Sequence, residues 1–127
     1  MTFYNREGKE ISLLEWGRLC ETTSYRFIEH AVVVDNARPS RGFQVTTIWL
    51  GNDDETDPSG MPLIFETMVF RLRHDGKHSV FEARYRTEAQ ARRGHEKVLA
   101  EVVGDMKEPV VSYPLAPWVP EFSNQDI

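Results

Sequence analysis

Two runs rich in apolar and β-branched residues, PLIFETMVFRLR (62–73) and HSVFEARYR (78–86), are separated only by HDGK. Asp75-Gly76 is the dipeptide favoured at the two central positions of a type I′ hairpin turn. This feature constrains the chain most, because a two-residue loop fixes the pairing of every residue on both strands. It predicts His74 opposite Lys77. One face then carries Leu72 with Ser79, Phe70 with Phe81, Met68 with Ala83 and Glu66 with Tyr85. The other carries Arg73 with His78, Arg71 with Val80, Val69 with Glu82, Thr67 with Arg84 and Phe65 with Arg86. The first face is expected on the core side and the second, rich in arginine, on the wet side.

Upstream, YRFIEHAVVVD (25–35) and FQVTTIWLG (43–51) read as two further strands, broken by Pro39 and Gly42. A short strand or turn is expected in FYNREGKEI (3–11). Two helices are marked by capping boxes. Ser12 with Glu15 opens one at Leu13, with Ile11 placed to staple onto Trp16, and Thr87 with Gln90 opens the other. Leu13, Trp16 and Cys20 are expected to share the inner face of the first helix. Ala91, His95, Val98 and Val102 form the inner stripe of the second, and Gly104 is its expected stop. The predicted fold is α+β: an antiparallel meander of about four to five strands, with an N-terminal and a C-terminal helix packed on one face.

The organisation expected is a single domain over 1–108, followed by an extended tail over 109–127. Prolines 109, 114, 117 and 120 alternate there with apolar groups. Tyr113, Trp118 and Phe122 are its expected contact residues, on the domain itself or on a neighbouring subunit, which would make a homo-oligomer.

Composition narrows the function classes. Apolar residues at 40% and charged residues at 28% describe an ordinary compact chain. A net charge of −5 argues against general nucleic-acid binding. The single cysteine, Cys20, excludes an internal disulfide and a cysteine-based zinc site, and reads as a small buried apolar residue. No apolar run is long enough to span a membrane and the first ten residues lack a signal-peptide core, so a reducing cytoplasm is expected.

Several chemical candidates follow. Glu66, on the apolar face, needs a partner or its pKa rises on desolvation, and it is the first candidate acid or base. His95 is the second, although a hydrogen-bonded histidine at the core edge is the plainer reading. Arg71, Arg73, Arg84 and Arg86 form a candidate anion-binding surface, since guanidinium forks suit phosphate and carboxylate. The acidic stretch with Asp53, Asp54, Glu55 and Asp57 fails the calcium-loop pattern. With Asp53 as first ligand, Pro58 takes the place of the required glycine and Ile64 that of the bidentate glutamate. It reads as a solvated connection between adjacent strands. His74 and His78 point to opposite faces of the hairpin, so no metal is expected, and no cofactor-binding fingerprint is present.

The segments FYNREGKEISLLEWGRLC, TTIWLG, PLIFETMVF and YRTEAQARRGHEKVLAEV together cover residues 3 to 103, and PLIFETMVF is the most specific of them. The chain thereby resembles a group of short proteins of actinobacterial phages and their hosts. In that group the connection after W-L-G is often glycine-rich with a histidine. Here it is NDDETDPSG, so no loop histidine carries over. The resemblance implies a phage or prophage setting and brings no activity with it.

The expected function is therefore that of a non-enzymatic accessory protein binding a host or phage protein. The arginine surface and the tail would be its contact regions. The alternatives are a module sequestering a nucleotide or similar small anion on the arginines, and a small hydrolase using Glu66 with His95 or His30.

Overall fold

The computed structural model describes residues 1–114. The chain runs through β1 (Phe3–Tyr4), β2 (Glu10–Ile11), α1 (Leu13–Cys20), α2 (Thr23–Arg26), β3 (Phe27–Asp35), β4 (Arg38–Trp49), β5 (Phe65–Arg73), β6 (Gly76–Tyr85), α3 (Glu88–Gly104) and β7 (Pro109–Ser112). Strands β6, β5, β4, β3 and β7 form one antiparallel sheet in that order, while β1 and β2 make a small separate ribbon. The α+β architecture is as expected. The first residues of the proline-rich segment are extended and pack on the domain as the fifth strand of the sheet, β7, paired with β3 from Val32↔Ser112 to Asp35↔Pro109.

Local chemistry starts both long helices. The Ser12 hydroxyl accepts from the Glu15 amide, and the Thr87 hydroxyl accepts from the Gln90 amide, so each satisfies one orphan N–H of a first turn. On α1 the inner residues are Trp16, Leu19 and Cys20, packed with Ile11 against Trp49, Ile64, Phe65 and Ala91. The Trp16 indole N–H donates to the Leu50 carbonyl at 2.9 Å. Leu13, expected inside, is instead 63% exposed, because the first turn of α1 projects past this cluster. On α3 the buried stripe is Ala91, His95 and Val98, as its periodicity predicts.

The hairpin differs from expectation in two steps. A type I′ turn needs positive φ at both Asp75 and Gly76, but among the described residues only glycines adopt it, Gly76 with φ +121°. His74 and Asp75 therefore make the bend and Arg73 pairs with Gly76. Farther along, Val69 pairs with Phe81 but Phe70 with Ser79, leaving Val80 as an extra, bulged residue. A one-residue bulge exchanges the faces of everything beyond it. Glu66 consequently lies opposite Arg84, not Tyr85, and Tyr85 lies opposite Phe65.

The face taken by the helices is also the reverse of the one predicted. Phe65, Thr67 and Val69, expected on the wet side, are 0%, 0% and 2% exposed beneath α3. Phe65 packs with Ala91 and Val69 with Val98 there, while Thr67 bonds Thr47, the partner of His95. Burying Phe65 in full contributes about 2–3 kcal/mol. The segment after β4 is held at Gly51, whose φ of +70° suits glycine. A Cβ there would overlap the Trp49 ring and stand 2.9 Å from the Tyr4 carbonyl.

Candidate functional site

With both helices on one side, the opposite face of the sheet is left without a described helix. The register places its side chains in rows across β3, β4, β5 and β6. These rows are Phe27, Ile48, Glu66, Arg84; then His30, Thr46, Met68, Glu82; then Val32, Gln44, Phe70, Ser79. A fourth row holds Val34, Gly42, Leu72 and Lys77. Phe27, Ile48, Met68 and Phe70 are each only partly buried and, with Thr46, line a shallow cavity of about 190 Å³. Two cations edge it. The Arg26 guanidinium carbon stands 5.4 Å from the Phe27 ring centroid, and the Lys77 ammonium stands 4.6 Å from that of Phe70.

A polar seam runs beside this floor. The Gln44 amide nitrogen, a donor only, lies 3.4 Å from His30 Nε2, and His30 Nδ1 lies 2.9 Å from Thr46 Oγ1. With Nε2 accepting, Nδ1 carries the proton and donates to Thr46. Burial, then the Lys77 charge, lowers the His30 pKa, so the ring is neutral at pH 7. Gln44 is fully buried, and its side-chain oxygen has no hydrogen-bond partner among the described residues.

At the end of the face, Arg84 Nε donates to Glu66 at 3.1 Å, with Glu55 at 3.5 Å and Glu82 at 3.9 Å from the same nitrogen. One guanidinium thus answers three carboxylates. Burial pushes the Glu66 pKa up, Arg84 pulls it back, and Glu82 pushes it up again. The acidic stretch after β4 supplies part of this cluster, so it is more than the solvated connection expected. Glu55 turns to Arg84, and Asp57 lies 3.6 Å from Arg86. Asp57 also accepts from the Ser59 hydroxyl and from the Ser59 and Met61 amides, with the Ser59 hydroxyl bond doing most to lower its pKa. Asp53 accepts from the Thr2 amide.

The four candidate arginines do not share a surface. Arg71 and Arg73 extend the helix-side row of β5, whereas Arg84 points to the opposite face through the bulge. Arg84 and Arg86 are paired with carboxylates as above, and Arg73 stands 3.8 Å from Asp75. The proposed catalytic pairing also fails on geometry. Glu66 lies on the open face and His95 lies under α3 on the other. His30 shares the open face with Glu66 but stands two strands away, and its hydrogen bonds go to Thr46 and Gln44.

His95 has a different setting, invisible in the sequence. Its Nδ1 lies 2.7 Å from Thr47 Oγ1, which lies 2.6 Å from Thr67 Oγ1, and both threonines are fully buried. Burial, reinforced by His30 and Arg92, lowers the His95 pKa to about 4. With both threonine hydroxyls and His95 Nδ1 engaged with one another, this chain of groups reads as a satisfied polar core.

Of the expected tail contacts, Tyr113 is 67% exposed, while Trp118 and Phe122 lie outside the described residues. Among the described residues no helix is long and apolar enough to cross a membrane, and no three His, Cys, Asp or Glu side chains gather as a metal site. Comparison with family models, curated proteins and solved structures finds no match for the chain.

Proposed function

We propose that this chain is a non-enzymatic accessory protein of the phage type, acting in the host cytoplasm by binding a host or phage protein through the open face of its sheet. The observation that supports this reading is the floor of Phe27, Ile48, Met68 and Phe70, edged by Arg26 and Lys77 and closed at one end by the Glu66–Arg84 cluster. An apolar centre with a charged rim is the anatomy of a protein-binding patch. Entry by strand addition is disfavoured. On one edge β6 is bulged at Val80, and on the other β7 is four residues long and begins with proline. The anion-sequestering alternative loses support because its arginines are divided between two faces and mostly paired.

The test is site-specific photocrosslinking in an actinobacterial host. A photoreactive side chain replacing Met68 is compared with one replacing Glu96 on the exposed side of α3. The expected result is one discrete protein adduct from position 68 and none from 96, with the adduct lost in Phe70→Asp. No adduct from position 68, or the same adducts from both positions, overturns the proposal.

A further inference from the structure

The end of the sheet that carries the β3–β4 and β5–β6 turns holds a cavity of its own. Gly42↔Leu72 is the last pair between β4 and β5. On the other side of β4, Val34 pairs with Gly42 but Asp35 with Arg38, so residues 39–41 have no partner on β3. Beyond Leu72 the ladder between β4 and β5 stops, and a notch of about 430 Å³ opens there. Val34, Gly42 and Leu72 form its floor. Ser40 stands on one side of it, and Arg71, Arg73 and His74 on the other. Gly42 keeps the notch hollow. Its backbone does not need glycine, since its φ lies outside the left-handed region. Packing does not forbid a side chain either. A Cβ would stand 3.6 Å from the Val33 carbonyl oxygen and 3.7 Å from Leu72 Cδ1, ordinary contact distances. Glycine inside a strand weakens it, and beside this bulge what its missing side chain leaves is room between Val34 and Leu72.

The walls decide the chemistry. No acidic residue occurs in 36–44 or 67–74, the stretches that meet here, although the whole chain carries a net charge of −5. Asp35, just outside them, is engaged by the amides of Ala37, Lys107 and Glu108. Arg71 is exposed and has no carboxylate partner among the described residues. Arg73 stands 3.8 Å from Asp75, beyond hydrogen-bond length, and Asp75 is itself held by His78 at 3.1 Å. Two guanidiniums on alternate residues of one strand thus keep their N–H forks for an incoming anion. The Ser40 hydroxyl and the His74 ring add polar groups beside them. The volume falls within the range of small-molecule sites, about 300–1,000 Å³. An apolar floor under a cationic wall suits a ligand that is anionic at one end and apolar at the other.

We propose that this notch binds a phosphate monoester with a flat organic body, the class of the nucleoside monophosphates. The phosphate sits between the Arg71 and Arg73 guanidiniums, with the Ser40 hydroxyl donating to it. The organic body lies over Gly42, between Val34 and Leu72. The notch is at the turn end of the sheet, away from Phe27 and Ile48, and it stands whether or not that part of the face binds a protein.

The experiment titrates AMP into the isotope-labelled full chain and follows the backbone amide signals by NMR. The expected result is saturable shifts at Ser40, Gly42 and His74, with the Leu14 and Glu96 amides unmoved. Adenosine, which lacks the phosphate, and inorganic phosphate, which lacks the organic body, should each bind at least about tenfold more weakly. Arg71→Gln and Arg73→Gln should each weaken AMP binding about tenfold, and Arg93→Gln on the exposed side of α3 should leave it unchanged. Gly42→Val fills the notch and should abolish binding in a chain whose other signals stay in place. Should that variant unfold, the exposed arginine variants carry the test. No saturation by AMP below about 10 mM overturns the proposal. So does adenosine or inorganic phosphate binding as tightly as AMP, an equal loss in Arg93→Gln, or shifts confined to residues outside the notch. A terminally phosphorylated oligonucleotide is the last arm. If it binds and AMP does not, the phosphate belongs to a nucleic-acid end and the assignment to a small molecule falls.

Discussion

Replacing Arg84 by methionine should expose the electrostatics of the open face most directly. Glu66 is 6% exposed and has Arg84 as its cation, with Glu82 and Glu55 on the same guanidinium. Without Arg84 the carboxylate can remain charged in a poorly solvated site among other carboxylates, or it can protonate. Protonation sets a ceiling on the penalty. From an ordinary value of 4.5 to pH 7 the cost is about 3.4 kcal/mol, at about 1.36 kcal/mol per pH unit. At pH 5.5 the same ceiling is about 1.4 kcal/mol. The sign follows from linkage. A carboxyl raised in the folded state supports folding fully below its unfolded pKa and loses that support as pH rises through the raised value. Urea unfolding of Arg84→Met should therefore show a deficit of about 3 kcal/mol at pH 7, shrinking to about 1 kcal/mol at pH 5.5. Glu66→Gln in the same background should recover most of the loss at pH 7 and abolish the pH dependence. A deficit equal at both pH values, or one that Glu66→Gln fails to relieve, would falsify the argument.

Two further outcomes concern the other side of the sheet. Thr47→Val removes the hydroxyl shared by Thr67 and His95, and should cost about 1–3 kcal/mol at pH 7 by chemical denaturation. With its pKa lowered to about 4, His95 gives a contribution complete above about pH 6.5 and lost as pH falls toward 4. His95→Asn should flatten the stability profile across that interval, and an unchanged slope would assign the acid sensitivity to other groups. Gly51→Ala combines an unfavourable φ with overlap against the buried Trp49 ring, and should cost about 2–4 kcal/mol in the same assay.

What could be read from the residues alone was the chemistry that acts over a few positions. Ser12 and Thr87 announce their helices because a capping hydroxyl needs only an amide three residues on. The inner stripe of α3, His95 included, follows from its periodicity. The register beyond Val80 could not be read, because the bulge contains neither glycine nor proline to mark it. The choice of face was hidden for another reason. β5 is apolar on both sides, with Phe65 and Val69 against Met68 and Phe70, so Arg71 and Arg73 at its end weighed the decision wrongly. Each longer-range feature depended on these two. Once Glu66 faces Arg84, the acidic stretch 53–57 acquires its role as the source of counter-charges, and Thr67 reaches Thr47, which in turn meets His95.

The pairing of β7 with β3 sets the timing of folding. Ser112 is 80 residues after Val32, and the amides of Lys107 and Glu108 just before β7 donate to the buried Asp35 carboxylate at the end of β3. At about 5–20 residues per second, the ribosome takes about 4–16 s to supply the strand that closes this edge. Through that interval the nascent sheet presents the apolar run Ala31 to Val34 of β3 with one backbone edge unpaired. Its vulnerability to intermolecular pairing is therefore greatest during synthesis and ends when the Asp35 latch engages.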